Sequence, residues 1–281
     1  MTESDIMCHR LHNQLLHNST YTSPAAVVQW LGCLQSTDYT AAKGSIIARM
    51  QASGNTSVDT LINQGILRRS FLLKPIHHLV TATDNTWIQS LTTPLIKTSC
   101  KRLCHTLSID TPLLKRSRHT LGKILRDGQS LTRQQLAPHL GLSPKDLRIN
   151  ILLMDAELEG IICNGPLSGK TFTYRLQPSQ TLAIPAEEAV AMLAQRYFRS
   201  RGPARLQDFA YWSSLPTVTA KKGLLECALS CEVVDGEAYW FSADMDRTVP
   251  VIQGALALPA ADEFYVGYEE GGLGRGEGQL R

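Results

Sequence analysis

Four of the seven cysteines stand in pairs four residues apart, Cys100 with Cys104 and Cys227 with Cys231, and His105 follows the first pair, a donor set that could hold zinc. A spacing of four instead puts both thiols on one helix face, where a small apolar residue belongs, so core cysteines and no metal are expected. An odd number of cysteines behind an N-terminus without a basic, then apolar, leader points to a reduced, cytoplasmic protein. The second chemistry is anion binding. Between Lys43 and Arg148 there are 16 Lys and Arg against 5 Asp and Glu, whereas from Glu232 to the end 3 basic residues face 10 acidic ones, all hidden in a net charge of +3. So concentrated a basic region suits a polyanion held by counterion release, or a solvated surface. Gly274-Arg275-Gly276-Glu277-Gly278 lacks the strand and helix of a phosphate loop, and no cofactor is expected.

These residues sit in a chain of 281 residues, 43% hydrophobic and 19% charged. That composition excludes a disordered chain, a coiled coil and a small disulfide scaffold, and no apolar run is long enough to predict a membrane span. The pattern is mainly α with small β-hairpins, an α+β chain. Its clearest unit lies in the middle. Thr132 caps a short helix that ends at Gly141; Ser143-Pro144 opens a second with Leu147, Ile151, Met154 and Leu158 as its stripe; Gly160 stops it. Ile161–Cys163 and Thr171–Leu176 then read as a hairpin, which makes a helix-turn-helix with a wing. A looser copy follows, with helices over Glu187–Arg199, Arg205–Trp212 and Thr217–Leu229, then a hairpin turning on Asp235-Gly236. An earlier copy has a helix from Ser23-Pro24 to about Leu34, another from Val58 to Gln64, and a strand over Ile76–Val80. Three tandem winged helix-turn-helix units follow, over residues 1–105, 106–180 and 181–270, the last incomplete, with a disordered tail over 271–281. An unfinished last unit predicts reduced stability or dimerisation through an open edge. Such pairs of helices also serve as plain packing units or bind proteins.

The residues that fill this pattern resemble a known family. Arg10-Leu11-His12-Asn13-Gln14, Trp30 through Tyr39, Leu67-Arg68-Arg69 and Leu73 through His78 are similar to the bacterial winged-helix DNA-binding family that contains the AlkZ-like DNA glycosylases. Leu131-Thr132-Arg133, Ala156 through Pro166, Gly202-Pro203-Ala204, Asp208 through Leu215 and Leu258 through Tyr268 continue the match in order. The resemblance implies double-stranded DNA as partner, in alkylated or crosslinked form, and removal of alkylated purines by hydrolysis of the N-glycosidic bond.

It also implies a site. The glycosylases of the family carry a Gln, an apolar or small residue, then Gln or Asp. Here Leu34-Gln35-Ser36-Thr37-Asp38-Tyr39 keeps Gln35 and has Thr37 in the second place, so Gln35 and Thr37 are the catalytic candidates. Thr37 has a shorter reach and only a hydroxyl, which predicts weaker positioning of a water. Asp38, read on a helix with Thr37, points about 100° away and is given no role. A buried amide is the competing reading for Gln35. His78 matches the family position, whereas His77 and Ile76 depart from it. Arg68, Arg69, Lys74, His78, Lys115, Arg116, Arg118, Arg133 and Lys170 are the DNA-binding candidates. Two functions stay open: a monofunctional glycosylase, and a DNA-binding protein, of damage-recognising or regulatory type, with a degenerate site.

Overall fold

Caps and glycines set the element boundaries at the start of the chain. In a computed structural model, which describes residues 1–51, 57–178, 184–252 and 254–271, helix α1 (Glu3–Asn13) opens on a capping box between Thr2 and Asp5. Helix α2 (Pro24–Leu31) has proline in its first turn and stops at Gly32, whose φ of +80° breaks the helix about three residues earlier than the apolar pattern predicts. A two-residue strand β1 (Leu34–Gln35) and helix α3 (Tyr39–Ile47) follow. The chain divides into two compact units: residues 1–56 belong with 184–281, and residues 57–183 form the other. The sequence boundary at 105/106 therefore runs inside the second unit.

That second unit begins with α4 (Val58–Asn63), strands β2 (Leu67–Leu72) and β3 (Ile76–Thr81), and the long helices α5 (Ala82–Thr106) and α6 (Thr111–Ile124). It continues through β4 (Leu131–Thr132), α7 (Arg133–His139), α8 (Arg148–Leu158), β5 (Ile162–Asn164) and β6 (Thr173–Leu176). β2 and β3 pair antiparallel with Leu67 opposite Thr81, and β4, β6 and β5 form a three-stranded antiparallel sheet in that order. Leu131 is a strand residue, and helix α7 starts after Thr132, the cap the sequence predicts, whose side chain and that of Gln135 complete a capping box.

Helix α8 departs most from its sequence pattern. It begins at Arg148 and not at Pro144, because residues 143–147 form turns, and Leu147 is exposed. Ile149 and every residue from Ile151 to Leu158 are buried. One face, with Ile151, Met154 and Leu158, packs into a cluster with Phe71, Ile96, Cys100 and Ile109. The opposite face, with Ile149, Leu153 and Ala156, packs against Leu121, Leu125, Leu136 and Ile162. A helix wrapped on all sides buries its acids too, and so Asp155 and Glu157 lie inside.

The chain then returns to the first unit with α9 (Ala186–Arg201), α10 (Leu206–Ser213), α11 (Thr217–Leu225), β7 (Leu229–Val234), β8 (Glu237–Ser242) and α12 (Glu263–Val266). Helix α11 ends four residues before Leu229, which opens β7 instead. The β7–β8 hairpin turns at Asp235 (φ 49°) and Gly236 (φ 82°), both left-handed as the Asp-Gly pair predicts. Tyr197, Phe198, Phe209 and Trp212 pack as an aromatic core with ring centroids 5.2–5.6 Å apart. The described chain is thus α+β with small antiparallel sheets. No described helix is long and apolar enough to cross a membrane. The tail expectation for 272–281 lies outside the described residues.

Candidate functional site

Gln35 ends the two-residue strand β1, where successive residues face opposite sides, and Thr37 lies in the bend that leads to α3. Leu34 and Ser36 are buried, Gln35 is half-buried, and Thr37 is exposed. The Gln35 Nε2 donates to Thr37 Oγ1 at 3.4 Å, a long contact that leaves both side chains at the surface. The helical placement of Asp38 does not hold. Helix α3 starts only at Tyr39, and Asp38 is its N-cap, with Oδ1 accepting from the N–H groups of Thr40 (2.8 Å) and Ala41 (3.1 Å). Its carboxylate is engaged in capping.

What fixes this short segment is a pair of buried charges from the far end of the chain. Glu263, 2% exposed, accepts the Gln35 backbone N–H on Oε1 at 2.7 Å. Its Oε2 accepts from Arg201 Nη2 (2.6 Å) and Trp212 Nε1 (3.1 Å). Arg201, fully buried, also donates to the carbonyls of Leu31 (2.8 Å) and Cys33 (3.2 Å), so one guanidinium gathers the C-terminal end of α2 and the start of β1. Burial alone would lower the Arg201 pKa, but the charge and hydrogen bond of Glu263, with smaller contributions from Cys33 and Tyr197, together hold the guanidinium above its ordinary value. Beside this pair, Arg49 grips Asp262 through two hydrogen bonds of 2.7 and 2.8 Å, both side chains fully buried. Burial raises the Asp262 pKa, but the hydrogen bonds and charge of Arg49, with the Ser45 hydroxyl and Phe264 N–H donors, together hold it below the carboxylate norm. Asp262 also caps α12 by accepting from Phe264 N–H, and Gln14 connects Arg49 to the Tyr268 hydroxyl.

None of these supporting roles follows from the sequence. Asp262, Glu263 and Tyr268 lie in the last motif and Trp212 in the one before it, but as charges and aromatics they carry no periodic signal of burial.

The basic candidates of the second unit divide by what they touch. Lys115 and Arg116 on α6 and Lys170 between β5 and β6 are exposed. Arg68, 3% exposed on β2, donates to Gln177 Oε1 at 2.9 Å, and burial lowers its pKa. Arg69 holds its guanidinium 4.9 Å from the Phe172 ring centroid. Lys74 is half-buried in the β2–β3 turn, and His78 is buried on β3 with Nδ1 3.1 Å from the Ile76 carbonyl. Arg118 pairs with Asp155 (3.4 Å) and Glu159 (2.8 Å). Arg133 ties the start of α7 to the approach of α8 through Asn150 Oδ1 (2.8 Å) and the carbonyls of Pro144 (2.7 Å) and Asp146 (3.3 Å). The structure therefore gathers Arg68, Arg69, Lys74 and His78 on one hairpin and leaves Lys115, Arg116 and Lys170 extended into solvent.

The cysteine pairs differ. Cys100 lies in the apolar cluster around α8 with Cys104 packed against it, and burial raises both thiol pKa values. Cys227 follows α11 while Cys231 is exposed on β7, so this second pair does not share a helix face. Among the described residues no three His, Cys, Asp or Glu side chains are grouped to hold a metal ion.

A two-residue strand ending at Gln35, with Thr37 in the bend beyond it, is backed by a buried ionic brace in an α+β chain; the family model "DNA glycosylase AlkZ-like" matches residues 28–270 of this chain. The chain belongs to the AlkZ-like DNA glycosylase family. Among solved structures it is similar to the Streptomyces sahachiroi DNA glycosylase AlkZ, with a TM-score of 0.73 at 20% identity over 87% of this chain and 70% of that one, a likeness of fold. Comparison with curated protein sequences gives no match.

Proposed function

We propose that this protein binds double-stranded DNA and hydrolyses the N-glycosidic bond of alkylated purines, with Gln35 and Thr37 holding the attacking water. The observation that carries this reading is the placement of Gln35 and Thr37 side by side at the surface of a segment whose backbone is clamped from behind. Cleavage passes through an oxocarbenium-like state. An N-alkylated purine is already cationic. It leaves with the electron pair of the glycosidic bond and becomes neutral, while the water oxygen bonds to the anomeric carbon and its proton passes to solvent. No strong acid or base is required. The Gln35 carboxamide and the Thr37 hydroxyl need only orient that water and favour positive charge on the sugar. The target nucleotide has to leave the stack to reach them.

What supports DNA as the partner is the set of winged helix-turn-helix modules that we read along the chain, the clearest of them inside the unit of residues 57–183. In the middle module α7 and α8 are the helix pair and β5–β6 the wing, with Lys170 near its tip. Lys115, Arg116 and Lys170 contact phosphates, together with Arg69 and Lys74 from the β2–β3 hairpin. Arg68, His78, Arg118 and Arg133 act by holding that framework.

The test is a single-turnover assay on a duplex containing N7-methylguanine, with protein in excess and heat or alkali to reveal abasic sites, beside Gln35→Ala. Release that vanishes in the variant is expected. Thr37→Gln, which supplies a second carboxamide, is expected to release base faster than the natural chain. Absence of release with DNA binding intact would overturn the enzyme and leave a DNA-binding protein on this scaffold. One observation favours that second reading: Thr37 offers a single hydroxyl, already within reach of the Gln35 amide. In either case affinity falls with salt, at a log–log slope of about −0.9 per phosphate neutralised.

A further inference from the structure

We infer that Glu263 and Arg201 are positioning residues for Gln35: the carboxylate fixes the backbone direction of residue 35, and the guanidinium fixes the carboxylate. The inference rests on the reading of Gln35 as the residue that orients the water, and deepens it.

Three features carry it. Glu263 spends one oxygen on a backbone N–H and the other on two side-chain donors, so its two oxygens serve different partners and cannot exchange them without leaving a donor empty. Arg201 contacts the same segment directly, on the carbonyls of Leu31 and Cys33, so the chain is held two residues before Gln35 and again at Gln35 itself. Trp212 and Tyr197 line the guanidinium, with their ring centroids 4.4 and 5.6 Å from its central carbon, and pack the pair out of water. In such surroundings a charge-assisted hydrogen bond is short and strongly directional. The N–H belongs to the peptide plane that ends at the Gln35 Cα, so holding that plane together with the Leu31 and Cys33 carbonyls narrows the directions in which the Gln35 side chain can leave the backbone. The carboxylate therefore helps aim Gln35 without touching substrate.

The Glu263→Gln variant isolates this role. Glutamine has the same shape, but its amide NH₂ must face a donor whichever way it turns: the Gln35 N–H on one side, Arg201 and Trp212 on the other. Three measurements are made on the full chain: hydrogen exchange of the Gln35 amide, affinity for the N7-methylguanine duplex, and the single-turnover rate on it. We expect faster exchange at Gln35, unchanged affinity, and a rate reduced about 100-fold, the scale of a misplaced catalytic group. Unchanged exchange at Gln35 overturns the inference. So does a natural rate despite faster exchange, or a rate loss matched by an equal loss of affinity. If the natural chain itself releases no base, the glycosylase reading fails, and the exchange measurement alone decides the positioning. Should Glu263→Gln not fold, Glu263→Asp keeps the charge that Arg201 requires one methylene farther from Gln35, and is expected to give an intermediate rate; a natural rate with that variant counts against the inference.

Discussion

The two units are built around different kinds of interior. The unit made from both ends of the chain buries charge at its centre: Arg49 with Asp262, Arg201 with Glu263, and Arg10 with its guanidinium 4.1 Å from the Tyr268 ring and its Nε donating to the Pro203 carbonyl. The unit of residues 57–183 packs two apolar clusters against the two faces of α8 and also buries the carboxylates of Asp84, Asp155 and Glu157, with Glu157 accepting from β2. Apolar burial is non-directional and tolerates repacking, whereas a buried ion pair costs desolvation and repays it only in one geometry. In the first unit the buried Arg201–Glu263 pair converges on the surface segment that bears Gln35. In the second the apolar clusters hold the helices together, and the buried Asp84 and Glu157 are met by hydroxyl, N–H and indole donors.

The contrast breaks most visibly at Arg49. Arg49→Met leaves Asp262 charged, buried and without its partner, and is expected to cost about 4 kcal/mol in urea unfolding. Adding Asp262→Asn, which keeps an acceptor for the Phe264 N–H, should recover more than half of that loss. A single variant as stable as the natural chain would show that the ionic centre is not rigid.

Glu157 tests the apolar side. Its burial raises the pKa from an ordinary 4.5 to about 7, against the opposing effect of the Ser70 hydroxyl and Phe71 N–H donors. The folded state therefore keeps a proton that the unfolded chain releases above pH 4.5. The stability due to this group is fully present below that pH and declines as pH rises to about 7, by on the order of 3 kcal/mol. Glu157→Gln has no such proton to lose. The stability of the variant relative to the natural chain should rise between pH 5 and pH 8 in denaturation midpoints; a change of opposite sign would contradict the buried-carboxylate account. The smallest effect is local: Thr132→Ala removes the cap of α7 and should lower stability by about 1 kcal/mol, read as a modest drop in Tm.

Several elements are legible from short stretches of sequence because their causes are short-ranged. Thr132 with Gln135, Gly160 after α8, and Asp235-Gly236 in the last hairpin each act on backbone groups within a few residues, and each is found where the sequence places it. Helix α5 is harder to see. Its 25 residues contain Pro94 and many Thr and Ser, which local preference reads as breaks. Leu147 fails for a related reason: an apolar residue in register with Ile151 is not buried if the helix begins one residue later and its neighbours turn away.

The candidate site divides in the same way. Gln35 and Thr37 stand out through the resemblance of one hexapeptide, although the sequence reads Thr37 on a helix and only the structure brings the two side chains within reach of each other. The brace behind them does not stand out, because Glu263 and Arg201 resemble surface charges to any pattern that counts apolar residues. Sequence by itself determined the Thr132 cap, the Asp235-Gly236 turn, the type of the well-patterned elements and the family. Only the tertiary structure decided which charges are buried, since the partners that compensate Glu263 lie 228, 62 and 51 residues away along the chain and their contacts gain strength only once folding has removed the water between them.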